Sequence, residues 1–165
     1  VQEIPAQDIE NVAVSSTKIR NALNLGEVEK ANSYLGFKYM LTGSVVSGKA
    51  LGRQFNYPTV NLKPDESYKL IPLSGVYIVE TTIAEVHYFG IMNIGKRPTV
   101  DGRRKTIEIH LFDFEGNLYG ATMQVNLLKR LRDEQKFASI EQLFAQIKKD
   151  ELKARELIRS GSLSL

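Results

Sequence analysis

Residues 105–114 read KTIEIHLFDF. Within them Ile107, Ile109 and Leu111 alternate with Thr106, Glu108 and His110. Successive side chains of a strand point to opposite faces. The three apolar residues therefore share one side, and the three polar residues share the other. This period of two predicts a β-strand with one side in a core. The polar side is either a solvated surface or a place where Glu108 is held rigidly towards a cleft.

Outward from this strand the same chemistry recurs. YMLTGSVVS (39–47), GVYIVETTIAEV (75–86), VHYFGIMNIG (86–95) and YGATMQVNLLKRLR (119–132) are rich in β-branched and aromatic residues. Gly, Pro, Asn and Asp clusters separate them, as expected for strands joined by turns. No helical pattern lies between them, which predicts an antiparallel sheet or barrel. FEGNLYG (114–120) predicts a hairpin turn between the last two strands. NIGKRPTVDGRRK (93–105) is long, basic and glycine-containing, and predicts a mobile loop able to close over a ligand.

Helices are expected at both ends. VSSTKIRNALNLG (14–26) offers Ser15 and Ser16 as caps and Gly26 as a stop, and EVEKANSYLG (27–36) ends at Gly36. Together they predict a small helical arm packed on the main domain. In ASIEQLFAQIKKDELKARELIRSG (138–161), Ile140, Leu143, Phe144, Ile147, Ala154 and Ile158 fall on one helical face. Ser139 and Gln142 have capping-box spacing, and Gly161 is placed as a stop. This helix is expected to lie across one side of the barrel, with its Lys and Arg residues solvated.

Composition removes several function classes. The chain has 165 residues, 42% of them hydrophobic, and no cysteine. Disulfides, thiolate metal sites and cysteine nucleophiles are thereby excluded. The two histidines, His87 and His110, have no metal-site spacing. No apolar run approaches a membrane span, and no segment resembles a secretory signal, so a cytoplasmic location is the expectation. The net charge of +3 is mild, and its clusters (GKRP, DGRRK and LLKRLRDEQK) read as solvated loops or as phosphate ligands.

Residues 43–62, GSVVSGKALGRQFNYPTVNL, begin almost as a P-loop. The hydroxyl that would hold Mg²⁺ is replaced by Ala50, and Gly52 and Pro58 forbid a long helix there. These departures argue against a Walker-type NTPase. Further on, Thr59 and Asn61 stand two apart and face the same way in an extended chain. Their neutral oxygens suit Mg²⁺ if phosphates supply the charge. Turn capping by the same residues is the simpler alternative.

The combination is more specific than its parts. A glycine-rich loop with cations precedes Pro-Thr-x-Asn, then a strand Glu two residues before His, then Arg-x-x-x-x-Phe before a final helix. This pattern resembles the riboflavin kinase family over about residues 37–158. The third position of Pro-Thr-x-Asn is Val60 where the family usually has Ala. The resemblance implies a mainly β fold: a closed, antiparallel, six-stranded Greek-key barrel with a C-terminal helix and a short N-terminal helical arm. It implies phosphoryl transfer from ATP to the ribityl 5′-hydroxyl of riboflavin, giving FMN and ADP, with Mg²⁺ as the metal. Glu108 would be the catalytic base, and Thr59 and Asn61 the metal ligands. The loop residues Gly43, Gly48, Lys49, Gly52 and Arg53 would cradle ATP, with the glycines admitting backbone amides to the phosphates. Leu111, Asp113 and Tyr119 would line the adenine side. Arg132, Gln135 and Phe137 would contact the flavin.

VSSTKIRNAL (14–23) is similar to the last motif of the FMN adenylyltransferase module of bacterial bifunctional FAD synthetases. Residues 1–36 are accordingly expected to be the remnant of that module, and 37–165 the kinase barrel. No H-x-G-H signature is present, so FAD formation is not expected. Ser16, Thr17 and Arg20 would be leftovers here. Neither a nucleic acid nor a membrane is an expected partner. The rival readings are an OB-like nucleic-acid-binding barrel and a flavin-binding module without kinase activity.

Overall fold

The computed structural model describes residues 16–46, 59–65, 70–99 and 102–163. Six strands form a closed antiparallel barrel: β1 (Met40–Val46), β2 (Val60–Pro64), β3 (Gly75–Ile83), β4 (Val86–Thr99), β5 (Gly102–Leu111) and β6 (Thr122–Arg132). Around the barrel the order is β1-β2-β5-β4-β3-β6. Closure leaves no strand edge open.

Alternation fills the interior as the sequence predicts. Ile107, Ile109 and Leu111 are buried in one cluster with Leu41, Leu62, Tyr77, Met92, Ile94, Val125 and Leu127. Each fully buried aliphatic side chain contributes about 1.5–3 kcal/mol by leaving water. β2 was legible as an extended Pro-Thr-x-Asn motif rather than as a strand. It nevertheless supplies Leu62 to the core and pairs with both β1 and β5.

Three expectations need correction. The described residues of 93–105 are not a loop: β4 and β5 pair from Gly90↔Leu111 to Thr99↔Gly102. Backbone pairing in a long hairpin outweighs the loop-like composition of those residues. FEGNLYG is not a hairpin turn, because β5 and β6 are not neighbours. The connection instead passes β2 and docks on β1, where Val45 N–H donates to Ala121 O at 2.8 Å and Gly120 N–H to Val45 O at 3.0 Å. Ile140 is 38% exposed and does not share the buried stripe of the final helix. It is the first helical residue, one turn before the helix meets the barrel through Phe144.

The β3–β4 reversal falls at Ala84 and Glu85, whose φ angles are 49° and 68°. Positive φ at both central residues is the demand of a type I′ hairpin, ordinarily met by Asn and Gly. Neither is present, so no turn signal marks this reversal in the sequence.

The N-terminal arm comprises α1 (16–24) and α2 (Val28–Leu35). Gly26 and Gly36 end them with φ of 77° and 78°. Ala22, Leu23, Val28 and Ala31 join the same buried cluster as the barrel interior. Asn32, 2% exposed, donates to Leu127 O at 2.9 Å and accepts Tyr39 N–H at 2.7 Å. The arm is thus built into the barrel core.

The final helix, α3 (Ile140–Arg159), is capped by Ser139, whose Oγ accepts Gln142 N–H at 3.2 Å. The reciprocal bond reaches Ala138 N–H at 3.3 Å, one residue earlier than a capping box requires. Gly161 has φ 72°, and Ser162 N–H closes back on Leu157 O at 3.3 Å. α3 lies on the barrel's outer face, where Ala154 packs with Val76, Ile78, Ile91, Phe112 and Leu128.

Candidate active site

Strand register places one row of residues across five strands. Asn61 of β2 is opposite Glu108 of β5, and Glu108 is opposite Asn93 of β4. Asn93 is opposite Val76 of β3, and Val76 is opposite Arg132 of β6. The flanking residues Leu62, Ile107 and Ile94 point into the core, so this row faces outwards. The polar face expected from residues 105–114 is therefore on the outside of the barrel, under α3.

A cavity of about 320 Å³ lies between that face and the helix. The barrel contributes Thr59, Asn93, Thr106, Glu108 and His110. The helix contributes Leu143, Phe144, Ile147 and Asp150. The segment joining β6 to α3 supplies Arg132, Glu134, Gln135 and Phe137. The cavity thus has an apolar wall on the helix and a polar floor on the strands, as small-molecule sites commonly do.

Arg132 and Asp150 form an ion pair at the cavity. Arg132 donates through Nε to both oxygens of Asp150 at 3.0 and 3.1 Å, and through Nη2 to Oδ2 at 2.8 Å. Its Nη1 donates to Asp133 O at 3.0 Å, and its guanidinium lies 5.9 Å from the Phe137 ring centre. His110 Nε2 is 4.0 Å from Glu151 Oε2. Gly95 matters by its lack of a side chain: a Cβ there would come within 2.7 Å of Glu134 Oε1.

The site residues expected from sequence divide into three groups. Glu108, Thr59, Arg132, Gln135 and Phe137 come together around the cavity, and Asn61 adjoins Glu108 on the same face. Gly48, Lys49, Gly52 and Arg53 lie outside the described residues. The remainder sit elsewhere. Gly43 is in the middle of β1, and a Cβ there would meet Lys63 O at 2.2 Å. Close approach of the β2 backbone is by itself enough to require a glycine here. Leu111 is 5% exposed and packs in the barrel interior. Asp113 is bound by both Arg155 Nη atoms at 3.1 Å. Those hydrogen bonds, then the guanidinium charge, hold its carboxyl below the usual range. Tyr119 is 67% exposed on the β5–β6 connection. Ser16, Thr17 and Arg20 are on α1.

Asn93, His110 and Asp150 were not named as site residues in the sequence, though each carried a signal, His110 by sharing the polar face of Glu108. Asn93 alternates with Met92 and Ile94, which reads as a strand once the loop interpretation is set aside. Asp150 stands three after Ile147 and four before Ala154, on the apolar stripe of α3.

For a divalent cation, the chemistry of the donors is the test. Among the described residues no group of three or more His, Cys, Asp or Glu could hold a metal ion. Thr59 and Asn61 offer neutral oxygens on the Glu108 face, which fits Mg²⁺ whose remaining ligands are phosphate oxygens and water. Among the described residues no helix is long and apolar enough to cross a membrane.

The fold and this site define a small-molecule enzyme-type barrel, and comparison with known proteins gives its family. The family model described as Flavokinase (riboflavin kinase) matches residues 35–158. This chain belongs to the riboflavin kinase family. It is 44% identical over 146 residues to the bifunctional riboflavin kinase/FMN adenylyltransferase of Escherichia coli, covering 88% of this chain and 46% of that protein. The chain thus spans about half the length of the curated relatives it matches. Among solved structures, a macrolide-efflux protein from Streptococcus pneumoniae matches with a TM-score of 0.80 at 40% identity, covering 85% of this chain and 46% of that one. Riboflavin kinase from Trypanosoma brucei shares the fold, with a TM-score of 0.52 at 24% identity over 75% of this chain and 82% of that one.

Proposed function

We propose that this chain is a riboflavin kinase, transferring the γ-phosphoryl group of ATP to the ribityl 5′-hydroxyl of riboflavin. The observation that carries the reading is Glu108: a carboxylate on a barrel strand, at the floor of a cavity that Thr59 also lines, and opposite Asn61. Family membership supplies the substrates, and the side chains supply the roles.

The flavin ring occupies the cavity between α3 and the strands, against Arg132, Gln135 and Phe137. Its ribityl chain runs towards Glu108. The hydroxyl oxygen attacks the γ-phosphorus, the bond from that phosphorus to the β–γ bridging oxygen breaks, and Glu108 accepts the hydroxyl proton. FMN and ADP leave. Thr59 and Asn61 would hold Mg²⁺, which would supply charge to offset the phosphates. The chain's own contribution is chiefly positioning, since a strand carboxylate cannot drift from the row that sets it.

Lys49, Arg53 and the glycines at 48 and 52 are assigned to ATP, as is the exposed Tyr119. Residues 1–36 are assigned to the end of an adenylyltransferase module and 37–165 to the kinase, with no FMN adenylylation by this chain. A cytoplasmic location follows from the same reading.

Incubating the purified chain with riboflavin, ATP and Mg²⁺, and separating flavins by chromatography, tests this. FMN without FAD is the expected result. Absence of FMN would overturn the kinase reading, and FAD would overturn the assignment of 1–36.

A further inference from the structure

Asp150 is an acidic residue in a place built for an apolar one. It lies on the barrel-facing stripe of α3 between Ile147 and Ala154, and it is 5% exposed. Burying a carboxylate is costly, and a buried ion pair is often no more stabilising than well-packed apolar side chains. Stability alone therefore does not explain its presence.

What the carboxylate does is fix a plane. Its two oxygens take the Nε and Nη2 of Arg132, while Gln146 Nε2 holds Oδ1 from the preceding helical turn at 3.0 Å. The third guanidinium nitrogen, Nη1, holds Asp133 O. Each of the three Arg132 guanidinium nitrogens thereby has an acceptor, and its charge is compensated by Asp150. The residues that follow, 133–136, are exposed and without regular structure. Arg132 is the fixed post from which that cavity wall hangs.

We infer that Asp150 is a positioning residue for the flavin: it locks the Arg132 guanidinium, and through it the wall containing Gln135 and Phe137, in the shape that receives a planar, uncharged ring. The inference rests on the riboflavin kinase reading. A guanidinium whose charge is already paired presents a flat surface to a ring rather than a cation to a phosphate. Asp150 touches no reacting atom, so its effect falls on flavin binding and leaves nucleotide binding alone.

Flavin fluorescence quenching and calorimetric titration of ATP·Mg²⁺, on wild type and on Asp150→Asn, test it. Binding is read without turnover, so wild type that binds riboflavin but makes no FMN sinks the kinase reading without touching this one. The expected result is a riboflavin Kd raised about tenfold or more, since displacing a substrate-positioning group is that costly. ATP affinity should stay within about twofold of wild type. Arg132→Lys, which keeps the charge but loses the fork, should show the same pattern, and the double variant should be no worse than either single one. If Asp150→Asn does not fold, Arg132→Lys is read by the same criteria. Unchanged riboflavin affinity, equal losses for riboflavin and ATP, or additive effects in the double variant would each overturn the inference.

Discussion

Asn61 and Glu108 face each other in register across the β2–β5 ladder, and Asn93 faces Glu108 from the other side. Glu108 is thus the acid in a row whose nearest members are neutral amides. Glu108→Gln keeps the shape of this row and removes the proton acceptor. Turnover should fall by about 10² or more, while the dissociation constants for riboflavin and ATP change little. Steady-state kinetics beside direct binding measurements check this, and unchanged turnover would remove Glu108 as the base.

Asn61→Asp places a second carboxylate directly opposite the first. Like charges facing each other across a ladder destabilise it, and a cation between them relieves the repulsion. The variant should therefore alter the divalent-ion concentration needed for half-maximal FMN formation, and its thermal stability should rise more on adding Mg²⁺ than wild type's does. A metal titration superimposable on wild type would count against Thr59 and Asn61 as the ligand pair.

Residues 105–114 contained most of what is needed here, because a period of two fixes which side of a strand a carboxylate takes. The six-stranded ring was not legible in the same way. β2 is five residues long and was masked by its own ligand-like motif. The strand order depends on a connection that skips two neighbours, and local composition cannot encode that. The basic stretch 93–105 misled because Lys and Arg are as compatible with a solvent-flanked hairpin as with a loop. Asp150 was the costliest omission: its helical phase was readable, but an acid on an apolar stripe is explained only once its Arg132 partner is seen.

The turn at Ala84 and Glu85 carries an avoidable cost. Both residues hold positive φ, which disfavours L residues by about 1–2 kcal/mol each. Glu85→Gly should relieve part of this, stabilising the barrel by about 0.5–1 kcal/mol after the added flexibility of the unfolded chain is counted. Urea denaturation should show the midpoint moving up. A lower midpoint would mean that Glu85 makes a compensating contact.

Asn32 ties the helical arm to β6 and to the residue that enters β1 by two buried hydrogen bonds. Asn32→Ala leaves Leu127 O and Tyr39 N–H without the partners they have now. Each stranded buried group costs about 1–3 kcal/mol, so a loss of about 2–6 kcal/mol is expected. Chemical denaturation of the variant checks this. A loss below about 0.5 kcal/mol would show that the arm is peripheral to the barrel, as a mere appendage from a neighbouring module would be.

Gly43 separates a structural role from a nucleotide-binding one. A methyl group there would meet three backbone atoms of β2, at 2.2 Å from Lys63 O, 2.7 Å from Lys63 C and 3.0 Å from Pro64 Cα. Backbone cannot rotate away as a side chain can, so β1 and β2 must part. Overpacking of this kind costs about 1–3 kcal/mol, and the reduced freedom of the unfolded chain returns only about 0.4–1 kcal/mol. Gly43→Ala should therefore be destabilised, with the ATP KM of its folded fraction unchanged. The opposite pattern, normal stability with a raised ATP KM, would mean that β2 tolerates the methyl and that the glycine serves the phosphates after all.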